Sequence, residues 1–170
     1  MEAEPGGAVI GVVSDTHGLL RSELFGFFEG VDVVLHAGDV GDPAILDSLE
    51  ALAPVAAVWG NVDGRDVRRR AAEVRRGEHG GLAWAVIHGH QVSDYGELPA
   101  RFPEAGMVVH GHSHAPVARR VGGTLVLNPG SAGPRRVGDP VTAARVTVRD
   151  GRPEVVHRDL LTGKLWTPGG

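Results

Sequence analysis

Apolar residues fall in short dense runs along the chain, and clusters rich in Asp, His and Gly follow them. Residues 8–13 carry branched side chains at nearly consecutive positions, the pattern of a strand buried on both faces. Residues 20–29 space Leu20, Leu24, Phe27 and Phe28 along one helical face. Residues 31–37 predict a second buried strand. Residues 43–52 predict a second helix, with Asp42 as its N-cap, Pro43 at its first position, and Ile45, Leu46, Leu49 and Leu52 as its buried face. Residues 55–59 predict a third strand. This β-α-β-α-β order predicts a parallel sheet with right-handed crossovers.

The later part changes character. Residues 82–87, 107–110, 117–121 and 124–127 predict strands with mostly short connections. Residues 143–148 and 154–160 flank Asp150-Gly151, a hairpin signal. An α/β first half and a strand-rich second half predict two packed sheets with helices outside. No internal repeat or long linker divides the chain. The expected organisation is a flexible N-terminus over 1–7, a single domain over 8–166 and a flexible tail over 167–170.

The polar clusters share one position. The first strand runs into Ser14-Asp15-Thr16-His17-Gly18, the second into Gly38-Asp39, and the third into Gly60-Asn61-Val62-Asp63. The strand at 82–87 runs into His88-Gly89-His90, and that at 107–110 into Gly111-His112-Ser113-His114. Carboxyl ends of strands in an open α/β sheet share one rim, where ligands bind. Two carboxylates, an amide oxygen and several imidazoles suit Mn, Fe, Zn, Co or Ni better than the all-oxygen cage of Ca or Mg. Seven candidate ligands drawn from these clusters are too many for one tetrahedral ion. They suit two, provided a carboxylate bridges. Two such ions can clamp the attacking and leaving oxygens of an in-line phosphoryl displacement. With neutral histidines, two carboxylates and a hydroxide, the site would keep about one positive charge and attract an anion.

Composition narrows the field. The chain has no cysteine, which excludes disulfides, thiolate zinc sites and cysteine nucleophiles. Its net charge of -4 gives no broad attraction to a long nucleic acid or an anionic surface. No apolar run approaches the ~20 residues of a membrane span. Residues 1–7 lack the basic start and apolar stretch of a signal peptide, so a cytoplasmic location is expected. Homo-oligomerisation is left open.

The ordered series Asp15-Thr-His17, Gly38-Asp39, Gly60-Asn61-Val-Asp63, His88-Gly89-His90 and Gly111-His112-Ser-His114 resembles the calcineurin-like metallophosphoesterase superfamily. Asn128-Pro129-Gly130-Ser131 followed by Pro134-Arg135 is similar to its small single-domain prokaryotic phosphodiesterase branch, which is related to the retromer-subunit fold. The resemblance spans about residues 9–148. It implies an α/β fold: a four-layer α/β/β/α sandwich of two mixed sheets flanked by helices. It implies a dinuclear phosphoesterase, foremost a phosphodiesterase, using manganese first among Mn, Ni, Zn, Fe, Co and Mg. It implies one ion on Asp15, His17 and His114, a second on Asn61, His88 and His112, and Asp39 bridging. A bridging hydroxide would attack phosphorus, and Asn61 would also touch the phosphate. Two other functions fit the same fold: a protein-binding scaffold, and a nuclease for short nucleic acids or cyclic nucleotides.

One position departs from the wider superfamily. Many members carry a histidine after the motif asparagine, and here that position is Val62. A general acid contributes ~10²–10⁴-fold, so another donor is needed for poor leaving groups. His90 and His36 are the nearest candidates. Among the remaining residues, His110 and Asp63 read as structural, His79 and His157 as surface, and Trp59 and Trp84 as core. The six arginines within 65–76 read as a solvated loop or helix face, with an anion-attracting rim as the alternative. Residues 128–131 read as a turn that supports the site through its backbone.

Overall fold

The computed structural model describes residues 7–167. The termini expected to be flexible, 1–7 and 167–170, lie outside the described residues except for Gly7 and Thr167.

In chain order the elements are β1 (Ala8–Val13), α1 (Glu23–Phe27), β2 (Val33–His36), α2 (Ala44–Glu50), β3 (Val55–Ala57), α3 (Arg65–Arg68), β4 (Val74–His79) and β5 (Leu82–Ile87). A 3₁₀ turn (Tyr95–Glu97), α4 (Leu98–Arg101), β6 (Met107–Val109), β7 (Val117–Val121), β8 (Thr124–Asn128), β9 (Thr142–Arg149), β10 (Arg152–Asp159) and β11 (Leu165–Trp166) follow.

They form two mixed sheets, ordered β11-β10-β9-β1-β2-β3 and β4-β5-β6-β8-β7. Strands β1, β2 and β3 are parallel, with Ile10 opposite Val33 and Val34 opposite Val55. β9 and β10 extend that sheet antiparallel. In the second sheet β5, β6 and β8 are parallel, while β4 and β7 close its edges antiparallel.

Strand alternation builds the layers. Ile10, Val12, Val33 and Leu35 meet Trp84, Val86, Met107 and Val109 in a core between the sheets. The opposite faces of the same strands turn outward. Val13 and Val34 pack with Leu24, Phe28, Ile45 and Leu49 of the α1 and α2 region. Ala85, Ile87 and Val108 pack with Leu98 and Phe102 around α4. The result is the expected four-layer sandwich, with fewer helical residues than expected.

The differences have local causes. The helix expected over 20–29 shrinks to Glu23–Phe27, because Ser22 makes no side-chain cap bond and Gly30 turns to φ 80°. Pro43, expected at the first helical position, is itself the cap residue of α2, and Asp42 Oδ1 accepts the Ala44 N–H at 2.9 Å. The arginine-rich stretch is α3 followed by the start of edge strand β4, where the sequence predicted only a loop or helix face. Val74 is the one large apolar residue of β4, and its arginines face solvent, so no apolar pattern marks it.

Candidate metal centre

Parallel β1, β2 and β3, with β5 and β6 of the facing sheet, aim their carboxyl ends at one rim. All seven expected ligands stand on the loops that leave those strands. Those loops are held in unusual backbone. Among the described residues, the non-glycine positions with positive φ are Asp15, His17, Asp39, His112, His114 and Asp150. Five of these six are expected ligands. Left-handed backbone is uncommon outside glycine and gathers where surrounding structure enforces it, often at functional sites.

Two clusters result. Ligand atoms of Asp15, His17 and His114 lie within 4.8 Å of one another, as do those of Asp39, His88 and His112. In the first, His17 Nε2 and His114 Nε2 are 3.4 Å apart, and Asp15 Oδ1 is 3.7 Å and 3.3 Å from them. A tetrahedral ion with ligands near 2.1 Å would space its donors by about 3.4 Å. In the second, His88 Nε2 lies 3.2 Å from Asp39 Oδ2 and 3.1 Å from Asn61 Oδ1. Asp39 Oδ2 is also 3.9 Å from His17 Nε2, so one oxygen faces both clusters.

Hydrogen bonds fix which atoms are offered. Asp15 Oδ2 accepts Ser14 Oγ–H at 2.6 Å and the His112 N–H at 3.2 Å. Its Oδ1 is buried without a hydrogen-bond partner. A buried carboxylate oxygen left bare beside two imidazole nitrogens fits a cation. Val62 N–H donates to Asp39 Oδ1 at 3.1 Å, leaving Oδ2 for the clusters. His88 Nδ1 donates to Ala37 O at 2.7 Å, which turns the Nε2 lone pair toward Asp39 and Asn61. The donor set therefore fits two divalent cations of the N/O-binding type.

The electrostatics agree. Burial would raise the Asp15 pKa, but His114 and His17, with His88 and Ser14, hold it well below the usual carboxylate range. Burial would likewise raise Asp39, but His88 and the Val62 N–H bring it down. Burial alone would lower His88, yet Asp39 and Asp15 raise it. Both carboxylates are thus held ionised, the form in which they ligate a cation.

A supporting layer lies behind the ligands. Asp63 accepts three backbone N–H groups, from Gly60 at 2.8 Å, Gly41 at 2.9 Å and Val40 at 3.1 Å. It ties the Asp39 loop to the Asn61 loop. His36 Nδ1 accepts the Gly38 N–H at 3.1 Å, so its Nε2–H is left to donate to Thr16 Oγ1 at 3.0 Å. Burial depresses His36 to about 4, which keeps it neutral. Asn128 Nδ2 donates to Gly111 O and Ser113 Oγ, and Ser131 Oγ donates to Asp15 O. Two glycines are required by close approach: a Cβ at Gly60 would strike the Asp39 carboxylate, and one at Gly111 would strike Ser14 and Asp15.

The other singled-out residues spread differently. His110 is buried and stacks on Tyr95 at 3.9 Å, away from both clusters. His36 is 0% exposed, so it cannot reach a substrate. His90 is half-buried, 5.5 Å from the His88 ring and 6.3 Å from that of His112. Val62 points to solvent. Two surface expectations change. His157 is buried, with Nε2 2.9 Å from Asn128 O, and His79 stacks on Trp84 and accepts its indole N–H. Trp84 is core, but Trp59 is only half-buried and lies beside His90. Sequence reasoning missed Ser14, although its place directly before Asp15 was a signal.

Comparison with known proteins completes the picture. The model of the calcineurin-like phosphoesterase superfamily domain matches residues 9–151. A probable metallophosphoesterase of Methanothermobacter thermautotrophicus is 36% identical over 141 residues, 78% of this chain and 81% of that protein. A phosphodiesterase of Methanocaldococcus jannaschii is 30% identical over 138 residues, 71% of this chain and 82% of that one. A single mutant of Vps29 from Entamoeba histolytica superimposes with a TM-score of 0.78 at 23% identity, over 93% of this chain and 96% of that one, a likeness of fold.

Proposed function

The chain belongs to the calcineurin-like phosphoesterase superfamily, as a metallophosphoesterase hydrolase of the small archaeal and bacterial type, and we propose that it hydrolyses phosphodiesters with two divalent cations. The observation that carries this reading is the pair of ligand clusters sharing Asp39, with Asp15 Oδ1 buried and bare. Asp15, His17 and His114 would hold one ion, Asn61, His88 and His112 the other, and Asp39 would serve both. Manganese is our first assignment, on the carboxylate and amide oxygens of the set, with Ni, Zn, Fe and Co favoured by its imidazoles. Bound there, the cations would supply Lewis acidity toward phosphate oxygens and lower the pKa of a water.

The chain's own residues do the rest. Asp39 Oδ1 is tied to the Val62 N–H, so its second oxygen stays aimed between the clusters. His88 keeps its tautomer through Ala37 O. Asn61 is exposed, which supports a contact with the phosphate as well as with an ion. Val62 offers no proton to a leaving oxygen. His90 stands nearest to that task, and we assign it the role of donor. No helix among the described residues is long and apolar enough to cross a membrane. A cytoplasmic site of action is part of this proposal.

The test is hydrolysis of bis(p-nitrophenyl) phosphate by chelator-stripped protein, with Mn, Ni, Zn and Mg added back separately. Turnover restored by Mn and absent without metal is expected. No turnover with any ion would sink the enzymatic reading and leave the scaffold reading.

A further inference from the structure

The chain has one tyrosine, Tyr95, half-buried at the start of the 3₁₀ turn before α4. Asp94 Oδ1 accepts the Gly96 N–H at 2.8 Å, which fixes that turn. The ring packs against the outer core that holds Leu98 and Phe102. Its face lies on the His110 imidazole, with centroids 3.9 Å and planes 17° apart. Its edge lies on Gly89, where an added Cβ would stand 3.0 Å from Cε1 of the ring. Ser113 is the side-chain hydrogen-bond partner of its phenol. Gly89 follows His88, His110 leads through Gly111 into His112, and Ser113 separates His112 from His114. One side chain therefore touches both turns that carry the second cluster's histidines.

Filling the outer core accounts for an apolar side chain at this position. It does not account for a flat one laid on a buried imidazole, nor for where its contacts fall. His110 Nδ1 and Asn128 Nδ2 both donate to Gly111 O, at 3.0 Å and 3.2 Å, and the Gly111 N–H donates to His88 O at 2.9 Å. The Gly111 peptide is thus the joint between the two turns, and the tilt of the His110 ring helps to set it. His112 and His114 hold left-handed backbone, at φ 69° and 63°. Such backbone persists only where surrounding structure enforces it.

We propose that Tyr95 is a positioning residue for the second cluster: stacked on His110 and seated on Gly89, it holds the His88 and His112 turns at the spacing one cation needs. The two ligand rings lie 5.2 Å apart. Tyr95 acts from behind them and has no contact with substrate or ion. The proposal rests on the two-cation reading above. The first cluster depends on Tyr95 less, because Asp15 and His17 leave β1, in the facing sheet. Groups behind the ligands orient them, and losing one costs about 10–100-fold in metal affinity. The flat face matters because two planar rings fix each other's tilt, which an aliphatic side chain of similar bulk does not.

Calorimetric titration of the metal-free full chain with manganese tests this, beside urea midpoints of the same samples. Tyr95→Leu keeps apolar bulk and removes the flat face. It should weaken the looser of two binding events by about 10–100-fold and leave the tighter within about threefold. Tyr95→Phe keeps both ring contacts and loses one hydrogen bond, so its affinity should return to within about threefold of the wild type. A lower urea midpoint with both manganese affinities unchanged would reduce Tyr95 to core filling and overturn the proposal. Equal weakening of both events would overturn it too. A second readout needs no substitution and keeps the test sound if Tyr95→Leu fails to fold. With a single tyrosine in the chain, 3-fluorotyrosine labelling gives one ¹⁹F resonance. That resonance should shift as zinc fills the second site, and a resonance indifferent to zinc overturns the proposal. Weakened manganese binding in Tyr95→Leu, with no diester turnover by the wild type, would keep the positioning role and reject the phosphodiesterase reading. Turnover by the wild type with affinities unchanged in Tyr95→Leu would do the reverse.

Discussion

The two ligand clusters share one donor chemistry but differ in their surroundings. Asp15 and His114 are buried and His17 is half-buried. The turn after β8 lies over them: Ala132 N–H donates to Ser14 O and Ser131 Oγ to Asp15 O. Around the second cluster, His112 and Asn61 are exposed, although Asp39 and His88 are buried. On the proposed function, the first cluster would keep its ion and the second would admit substrate. Asp39 joins them, and its second oxygen faces both.

The largest test of that contrast is to remove the joint. Asp39→Ala should lower diester turnover on the order of 10³-fold while the protein still folds. Near-normal turnover would show that the clusters work independently. A smaller effect separates the clusters themselves. Titration calorimetry with Mn should find that His114→Ala loses the tighter of two binding events. His112→Ala should weaken only the other, by about 10–100-fold. Equal loss of both ions in either variant would erase the distinction between kept and exchangeable sites.

The smallest effect should strike both clusters together. His36 is bonded to Thr16, between Asp15 and His17, and to the Gly38 N–H just before Asp39. Burial depresses it to about 4, and burial also depresses His157. The unfolded chain takes up those protons first as pH falls below about 6.5. Stability is therefore complete above that pH and is lost toward pH 4. For His36 the loss from pH 7 to pH 5 is about 2 kcal/mol. Urea midpoints of metal-free protein at the two pH values would show it, and His36→Gln should flatten the slope. An unchanged slope would remove His36 from the shared support.

Much of this was legible because the strands that carry ligands are buried on both faces. Residues 8–13, 82–87 and 107–110 read as apolar runs, and a metal-capable residue closes each run. The supporting layer was legible only at residues 128–131, which read as a turn behind the site. Asp63, with three backbone N–H bonds, reads in sequence as ordinary turn chemistry. His157 lies in β10, a mostly polar strand whose two valines are adjacent, and only the Asn128 carbonyl it meets on β8 of the facing sheet explains its burial. β4 is an edge strand whose arginines face water, so its identity rests on pairing with β5. Trp59 has the composition of a core residue and the position of a rim residue, a distinction made by where β3 ends.

The left-handed backbone at Asp15, His17, Asp39, His112 and His114 has a consequence for local unfolding. Each such residue carries on the order of 1–3 kcal/mol of conformational penalty, and the cations would stand at the point where all five meet. Without them the three loops have a reason to relax, while the strands on either side keep their ladders. Amide exchange after chelation should therefore quicken in segments 14–18, 38–41 and 111–114 and stay slow in β1, β2 and β6. The ions would then act as a clasp on three loops, and the sheets beneath would hold without them.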